Sequence, residues 1–166
     1  MTIEVEVLGK SCHGSMPHEG LNPLEFGARI LVEATDRVKE GLKDDPFLSA
    51  GTRTASWAVL DTPSDCAVPE RFVFRFDRRL TAGELPSDAL KTVEEYAAVK
   101  LARDHGLTVK VRAPVYSQPT HTGYVLNNDQ IYPSWRTPAE HNAVKGNIIL
   151  IIALQDYRSE MLILPS

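Results

Sequence analysis

The sequence has little cysteine, no long apolar run and no long run of basic residues. Its two cysteines, Cys12 and Cys66, are too few for a disulfide framework, so we expect a reducing, cytoplasmic setting. The longest aliphatic run, residues 148–154, is too short to cross a bilayer. The N-terminal segment is acidic and alternating, unlike a signal or transit peptide. The net charge of −4 argues against nucleic acid as a partner. We therefore expect a globular domain without membrane contact.

The loop Gly9–Pro23, which reads G-K-S-C-H-G-S-M-P-H-E-G-L-N-P, is the most informative stretch of the chain. Its glycines, its prolines and the cap residue Asn22 fix the path of a strand-to-helix connection. His13 lies among small residues in this loop. It is a candidate to present an imidazole to something outside the domain. The alternative is a histidine that only bonds its own turn.

Hydrophobic periodicity predicts four strands and two helices. The first strand alternates apolar with acidic residues, and the third alternates phenylalanine with charged residues, which is typical of a sheet with one buried face. Each helix begins at a proline, and a glycine follows the second helix, as is common at these positions. The predicted strands are residues 2–8, 53–60, 71–79 and 107–112, and the predicted helices are residues 23–42 and 86–105.

The first predicted helix has two apolar stripes. The main stripe is spaced by three and four residues, which predicts that it faces the core. It consists of Leu24, Ala28, Leu31, Thr35, Val38 and Leu42. The second stripe, Phe26, Ile30 and Ala34, lies on the opposite flank. Because a single sheet covers only one stripe, the second is either scattered surface apolarity or a contact with another chain.

The order of elements predicts a ferredoxin-like α+β fold, βαββαβ. Two helices would cover one face of a four-stranded antiparallel sheet whose usual strand order is 4-1-3-2. The charges agree with this order. Glu4 and Glu6 on the outer face of the first strand would lie between Lys110 and Arg112 on one side and Arg75 on the other. Opposite charges on neighbouring strands each contribute about 0.2–1 kcal/mol.

This order places the second strand at an edge of the sheet. The strand carries Trp57 but little charge beyond Arg53, and so lightly defended an edge is a candidate for pairing with a second copy. Together with the stripe of Phe26, Ile30 and Ala34, it predicts a homodimer through this edge strand and the first helix. The sheet would then continue across a two-fold axis.

Three motifs in the sequence resemble those of a known family. The loop pattern G-x-x-x-H-G-S-x-P-x-x-G-x-N-P is followed by V-P-E-R and by D-R-R-L-x-x-G-E at residues 77–84. Together they resemble the co-catalytic zinc peptidase and deacylase family, which includes aminoacylases, acetylornithine deacetylase, succinyl-diaminopimelate desuccinylase and glutamate carboxypeptidases. The resemblance covers roughly residues 2–145 and is to the family's inserted dimerisation, or lid, domain. It implies a βαββαβ lid that pairs two-fold into a continuous sheet.

The resemblance implies roles for three residues. His13 matches the lid histidine that reaches the active site of the other subunit and hydrogen-bonds the developing oxyanion or the substrate carbonyl. Arg79 matches an arginine that binds substrate carboxylate, and an ion pair with Asp77 or Glu84 is its alternative role. Cys66 stands where many members carry a substrate-binding asparagine, which leaves the substrate class open. His13 and Cys66 should lie about 30 Å from Arg79, so one substrate would meet them from different subunits.

We expect no metal site in this chain. The resemblance implies two zinc ions for the parent enzyme, held by His, Asp and Glu ligands of its catalytic domain. None of the five histidines belongs to an H-x-D pattern that would place ligands on one strand or loop. A local site from Cys12, His13, His18 and Cys66 is conceivable, but a metal-free role for each residue is simpler.

These observations predict the lid and dimerisation domain of a zinc-dependent amidohydrolase or peptidase, which should be inactive alone. The alternative is a free-standing ferredoxin-like module that dimerises and captures a small ligand. We expect a lid at residues 1–115, a return segment towards a missing catalytic domain at 116–145, and an unassigned hydrophobic tail at 146–166. The tail includes an uncharged, β-prone segment. We interpret the chain as a truncated enzyme in which this tail covers an exposed surface of the sheet.

Overall fold

A computed structural model describes residues 1–146. It contains a four-stranded antiparallel sheet and three two-stranded ones, and it confirms the predicted α+β fold. The strands are β1 (Thr2–Leu8), β2 (Cys12–His13), β3 (Asp44–Asp45), β4 (Ser49–Ala50), β5 (Thr52–Asp61), β6 (Ala67–Val68), β7 (Arg71–Arg79), β8 (Thr108–Arg112), β9 (Val115–Pro119) and β10 (Val125–Asp129). The helices are α1 (Pro23–Asp36), α2 (Pro86–Glu94) and α3 (Ala97–Asp104), and a short 3-10 helix covers Pro17–Glu19.

The main sheet has the strand order β5-β7-β1-β8. This is the predicted order 4-1-3-2, counted from the opposite edge. Val5 in the middle of β1 pairs with Phe74 on one side and with Val111 on the other. The strand β5 therefore lies at an edge, and its register shifts at a bulge between Ala55 and Trp57.

The core lies between this sheet and the helices. The period of two in β7 directs Phe72, Phe74 and Phe76 inward, and successive ring centroids are 5.3 and 5.6 Å apart. Aromatic pairs at such distances and tilted angles are favourable. Fully buried apolar side chains from β1 and from the helical layer complete the core, among them Ile3, Val5, Val7, Ile30, Val93, Tyr96 and Val99.

The outer face of the sheet carries the predicted cross-strand ion pairs. Glu4 accepts a hydrogen bond from Arg75 Nε at 2.9 Å and another from Arg112 Nη2 at 2.9 Å. These arginines lie on the two strands that flank β1, so one buried carboxylate is paired from both sides. Such pairs fix the register of three strands as well as contributing to stability.

Glu6 is paired in the same way, and this gives the stability of the domain a pH dependence. Arg71 Nε donates to Glu6 at 2.6 Å and Lys110 Nζ donates at 3.2 Å, and the Arg71 bond is the main cause that lowers the pKa of Glu6. A carboxyl group with a lowered pKa stabilises the fold above its unfolded value and stops doing so as pH falls through its folded value. The free energy of unfolding should therefore decrease below about pH 4.5.

Urea unfolding at neutral pH and at about pH 3 measures this dependence. We expect Glu6→Gln to be less stable than wild type at neutral pH and to lose less stability on acidification. The exposed Glu70 supplies a matched control, because Glu70→Gln should keep the acid dependence of wild type. An equal loss on acidification in Glu6→Gln and wild type would contradict the prediction.

The predicted assignment of the two stripes of α1 is wrong. The second stripe faces the chain's own sheet: Ile30 is fully buried, Ala34 is buried and Phe26 packs against the core. Ile30 and Ala34 are therefore not available to another chain. The cause is Gly27, where a Cβ atom would lie 2.3 Å from Cδ1 of Phe72. The helix approaches the sheet along its small side chains, and the larger stripe is left half-exposed.

The helix α1 is also shorter than predicted and ends at Asp36. Arg53 of β5 is buried beneath its end and donates from Nη2 to the carbonyl oxygens of Ala34 at 2.8 Å and Arg37 at 2.7 Å. The last carbonyls of a helix lack intrahelical partners, and a cation at this position also interacts favourably with the helix dipole. The capping arginine thus comes from the edge strand.

The second predicted helix is divided into α2 and α3. Tyr96, fully buried, has extended backbone angles (φ −57°, ψ 141°) between the two helices. The break shifts the buried face by one residue. Val93 is in the core as predicted, but beyond the break Ala98, Val99 and Ala102 are buried where Ala97 and Leu101 were predicted.

The segment after β8 contains an element that the sequence analysis does not predict. The strands β9 and β10 form a hairpin, and Val125 pairs with Pro119. The chain divides into two compact units at residues 1–134 and 135–166, and the second is described only as far as residue 146. The predicted segments 1–115, 116–145 and 146–166 stay predictions, and the hydrophobic tail beyond residue 146 lies outside the described residues. None of the helices within residues 1–146 has the length and apolarity needed to cross a membrane.

Candidate functional site

The short strands β2 and β6 bring the loop after β1 beside the loop before β7. His13 pairs with Ala67, and the Gly14 N–H donates to the Cys66 carbonyl at 2.7 Å. A Cβ atom at Gly14 would lie 2.6 Å from that carbonyl oxygen, closer than a side chain tolerates. The glycine after His13 thus allows the two loops to pair, and the pairing puts His13 and Cys66 at the same end of the sheet.

The two ends of the loop are fixed by backbone contacts. Lys10 and Leu21 exchange N–H···O hydrogen bonds of 3.0 and 2.9 Å. Asn22 caps α1 by accepting the Leu24 N–H at Oδ1, 3.1 Å away, and donates from Nδ2 to Glu25 at 2.9 Å. This cap is the one that the sequence predicts. The loop that carries His13 is therefore anchored to the sheet at one end and to the helix at the other.

The His13 ring is held by Ser15. Nδ1 of His13 lies 2.8 Å from Ser15 Oγ and accepts the Ser15 N–H at 3.2 Å. The ring is exposed, and within residues 1–146 its Nε2 has no hydrogen-bond partner. Nδ1 therefore bonds its own turn, as in the alternative role predicted for His13. Nε2 is available to an external group.

A cleft of about 460 Å³ opens beside His13. Its polar side chains are an imidazole, a hydroxyl, an amide, a thiol and two carboxylates. They belong to His13, Ser15, Asn22, Cys66, Glu25 and Asp65. In the described part of the chain, no Lys or Arg lines this cleft. A carboxylate bound here would therefore need a cation from elsewhere.

Arg79 lies at the other end of the main sheet. Arg71 and Arg79 bound β7, so the cleft end and Arg79 are separated by about 27 Å at 3.4 Å per residue. Arg79 donates to Asp77 Oδ2 from Nη2 at 2.8 Å and from Nε at 3.1 Å. The structure thus shows the alternative role of Arg79, an exposed ion pair with Asp77, and does not bring Arg79 together with His13 and Cys66.

The neighbouring Arg78 is a residue that sequence analysis missed. Its guanidinium is buried and donates to the carboxylate of Glu84, to the carbonyl of Gly41 and to the carbonyl of Arg79. Glu84 also accepts the N–H and hydroxyl of Thr81. The sequence did contain a signal for its burial, because Arg78 lies on the same face of β7 as the buried Phe72, Phe74 and Phe76. The D-R-R-L-x-x-G-E motif therefore contains a buried structural ion pair beside its exposed arginine.

No three His, Cys, Asp or Glu side chains within residues 1–146 are grouped closely enough to hold a metal ion. The Cys12 thiol donates instead to the Met16 carbonyl at 3.2 Å. Within residues 1–146 there is thus no ligand group for the two zinc ions, which the resemblance assigns to the catalytic domain of the parent enzyme.

The fold is thus a two-layer α+β unit in which β5 lies at an edge of the main sheet and His13 is exposed at one end. The comparison with known families identifies the family to which this unit belongs. A family model, M20 peptidase dimerisation domain, matches residues 1–105. The chain belongs to this family, which forms the dimerisation domains of M20 peptidases and amidohydrolases.

Individual relatives agree with this assignment. The protein YgeY of Escherichia coli (strain K12) is 35% identical over 146 residues, which are 88% of this chain and 35% of that protein. The chain therefore spans little more than a third of this relative. A similar match is found to YgeY of Escherichia coli O157:H7.

Solved structures share the fold. A tripeptidase from Staphylococcus aureus aligns with a TM-score of 0.52 and 17% identity, over 87% of this chain and 32% of that one. The aminopeptidase PepT from Bacillus cereus aligns with a TM-score of 0.52 and 15% identity, again over 87% and 32%. A hydantoinase/carbamoylase family amidase from Burkholderia ambifaria aligns with a TM-score of 0.51 and 19% identity, over 66% and 26%.

Proposed function

We propose that this chain is the lid and dimerisation domain of a zinc-dependent, cytoplasmic amidohydrolase or peptidase and that it acts as a homodimer. The observation that carries the proposal is the Nε2 of His13, which is presented outward beside the cleft while its other ring nitrogen is held by Ser15. The parent enzyme would hydrolyse an amide bond. Its zinc ions would supply activated water and would be bound by a catalytic domain outside this chain.

His13 would donate a hydrogen bond to the substrate carbonyl as it becomes an oxyanion. A donor aimed at developing charge in a site that excludes water lowers the barrier by about 3–4 kcal/mol. The loop that carries His13 suits this role, because both of its ends are fixed by backbone hydrogen bonds and by the Asn22 cap. We infer that this imidazole enters the catalytic site of the other subunit.

Arg79 and Cys66 would contact the substrate. Arg79 has a side chain that is 74% exposed, and an exposed ion pair such as the one with Asp77 costs only about 0–1 kcal/mol to release. Its guanidinium could therefore turn to a substrate carboxylate, which it would bind in bidentate fashion. Because about 27 Å of strand separates it from Cys66, the two residues would reach one substrate only from different subunits.

The dimer interface would combine the edge strand β5 with one flank of α1. Glu33 accepts the N–H groups of Ala97 at 3.0 Å and Ala98 at 2.7 Å, so the Glu33 flank of α1 faces α3. At about 100° per residue, Leu24 and Leu31 lie on the opposite flank. Since α3 packs on β8 and α1 packs on β1 and β7, this flank faces the β5 edge.

The apolar side chains at this edge support the assignment. Leu24 is 37% exposed, and Leu60 of β5 is 38% exposed, although its cross-strand partner Phe72 is in the core. Trp57 is also exposed on β5, with the Arg75 guanidinium 4.2 Å from its ring centroid. A second copy paired antiparallel along β5 would cover these side chains and continue the sheet.

The interface predicts the oligomeric state of variants. We expect the chain to be a dimer by light scattering and the double variant Leu24→Lys/Leu60→Lys to be a monomer, because two charges would be buried at the interface. Trp57→Lys should weaken the dimer in the same direction. Val32→Lys is the matched control: Val32 is 60% exposed on the side of α1 that faces α3, so this variant should stay dimeric. A dimeric double variant would refute the interface.

Reconstitution tests the proposed function itself. Mixing the chain with a polypeptide that carries the metal-binding part of the enzyme should restore hydrolysis of N-acylated amino acids or small peptides. If hydrolysis is not restored and the chain alone binds a small molecule saturably, the domain is a ligand-binding module.

A further inference from the structure

We propose that Ser15 is a positioning residue that sets the tautomer of His13, so that the neutral ring carries its proton on Nε2. The functional consequence, a hydrogen bond donated to an oxyanion, rests on the proposed function. The tautomer itself is inferred only from contacts within the loop. They are two contacts at one ring nitrogen: Ser15 N to Nδ1 at 3.2 Å and Ser15 Oγ to Nδ1 at 2.8 Å.

The chemistry of the donors decides where the proton is. A backbone N–H can only donate, so the nitrogen that accepts it must have its lone pair free. Nδ1 is therefore unprotonated in the neutral ring, and the Ser15 hydroxyl, which could act in either sense, donates as well. A neutral imidazole has one N–H, and with Nδ1 as acceptor that N–H is at Nε2.

The consequence is a hydrogen-bond donor that is already in place before any ligand arrives. Both contacts come from the residue two positions along the chain, and that residue belongs to the anchored loop. Nearby groups do not compete for Nδ1: the Cys12 thiol bonds the Met16 carbonyl and the Ser11 hydroxyl bonds the Val68 carbonyl. The opposite tautomer would lose the backbone bond and would place an N–H of the ring against the N–H of Ser15.

The tautomer can be measured on the 166-residue chain without any catalytic partner. Two-bond ¹⁵N–¹H spectra of the imidazoles distinguish a protonated from an unprotonated ring nitrogen, and His13→Ala assigns the resonances. At a pH where His13 is neutral, we expect a protonated Nε2 and an unprotonated Nδ1. A neutral ring with its proton on Nδ1 would overturn the inference.

Variants at Ser15 test whether its hydroxyl sets the tautomer of His13. Ser15→Ala keeps the backbone N–H but removes the hydroxyl, so the ratio of the Nε2–H to the Nδ1–H tautomer should decrease by about 3- to 10-fold, the usual worth of one hydrogen bond. Ser15→Thr restores a hydroxyl and should restore the ratio. Ser11→Ala removes a loop hydroxyl that does not touch His13 and should leave the ratio unchanged. An unchanged ratio in Ser15→Ala would overturn the role of the hydroxyl.

The imidazole spectra and the turnover of His13→Ala together distinguish a failure of this inference from a failure of the proposed function. If the spectra are as expected but His13→Ala leaves turnover of the reconstituted enzyme unchanged, the tautomer is established and the oxyanion role fails. If His13→Ala abolishes turnover but the neutral ring carries its proton on Nδ1, the oxyanion role stands and this inference fails. In the reconstituted enzyme, Ser15→Ala should lower kcat by about 3- to 10-fold with little change in KM.

Discussion

Replacement of His13 by alanine should reduce kcat of the reconstituted enzyme by about 10²–10³-fold, which is the usual cost of removing one oxyanion donor. In the proposed role, the Nε2 group would meet charge that develops only in the transition state. KM should change less than kcat, since the ground-state carbonyl is the poorer acceptor. Steady-state kinetics of the wild-type and variant chains, each mixed with the same metal-binding polypeptide, measure the effect.

His18 provides a matched control for this experiment. It is exposed in the same loop, on the 3-10 helix Pro17–Glu19, and is not part of the cleft lining. His18→Ala should leave kcat within about 2-fold of wild type, as expected for a surface substitution away from the site. Undiminished turnover in His13→Ala would remove the basis of the oxyanion role, whereas an equal loss in both variants would indicate damage to the loop and not to a donor.

Much of the sheet could be predicted because its signals are local and strong. A strand alternates with a period of two, and phenylalanines at positions 72, 74 and 76 identify the buried face. The charges on β1, β7 and β8 then fix the strand order, since Glu4 needs cations on both sides and finds them at Arg75 and Arg112. These features require no knowledge of the tertiary structure beyond the order of elements.

The packing of the helices was harder to predict, because it depends on how closely each helix backbone approaches the sheet. The larger stripe of α1 contains more apolar residues, yet the helix packs through Gly27 and Ala34 because a glycine lets the Phe72 ring fit against the backbone. A scale that scores side-chain hydrophobicity gives glycine no weight. The break before α3 likewise lacks a Gly or Pro signal. Tyr96 is buried at the break, and Glu33 of α1 accepts the first N–H groups of α3.

The position of the site could be predicted in part from the loop motif and the strand order. The loop motif identifies His13, and the strand order places it beside Cys66 and far from Arg79. The Ser15 contacts could not be predicted, because a bond between a ring nitrogen and a backbone two residues along depends on the turn geometry. The parity of β7 could have revealed Arg78, since a charged residue in the inward phase of a strand needs a buried partner.

The ion pair between Arg78 and Glu84 should be the most costly polar interaction of the domain to break. The side chains of Arg78 and Glu84 are 3% and 6% exposed. Breaking a buried pair by removing one partner costs about 3–5 kcal/mol, because the other charge stays buried without compensation. Arg78→Met keeps the length of the side chain and removes the charge. The free energy of unfolding measured with urea should therefore decrease by about 3–5 kcal/mol, a large part of the stability of a small domain.

The next residue offers a control that differs mainly in exposure. Arg79→Met removes the same group from an exposed pair with Asp77 and should cost about 0–1 kcal/mol. Adding Glu84→Gln to Arg78→Met should recover part of the loss, because the orphaned carboxylate is then neutral and the two effects are not additive. Equal losses in Arg78→Met and Arg79→Met, or no recovery in the double variant, would show that burial of the pair does not set the stability. Unequal losses with recovery in the double variant would instead separate the two adjacent arginines by role: Arg78 would hold the turn after β7, and Arg79 would be available to a substrate.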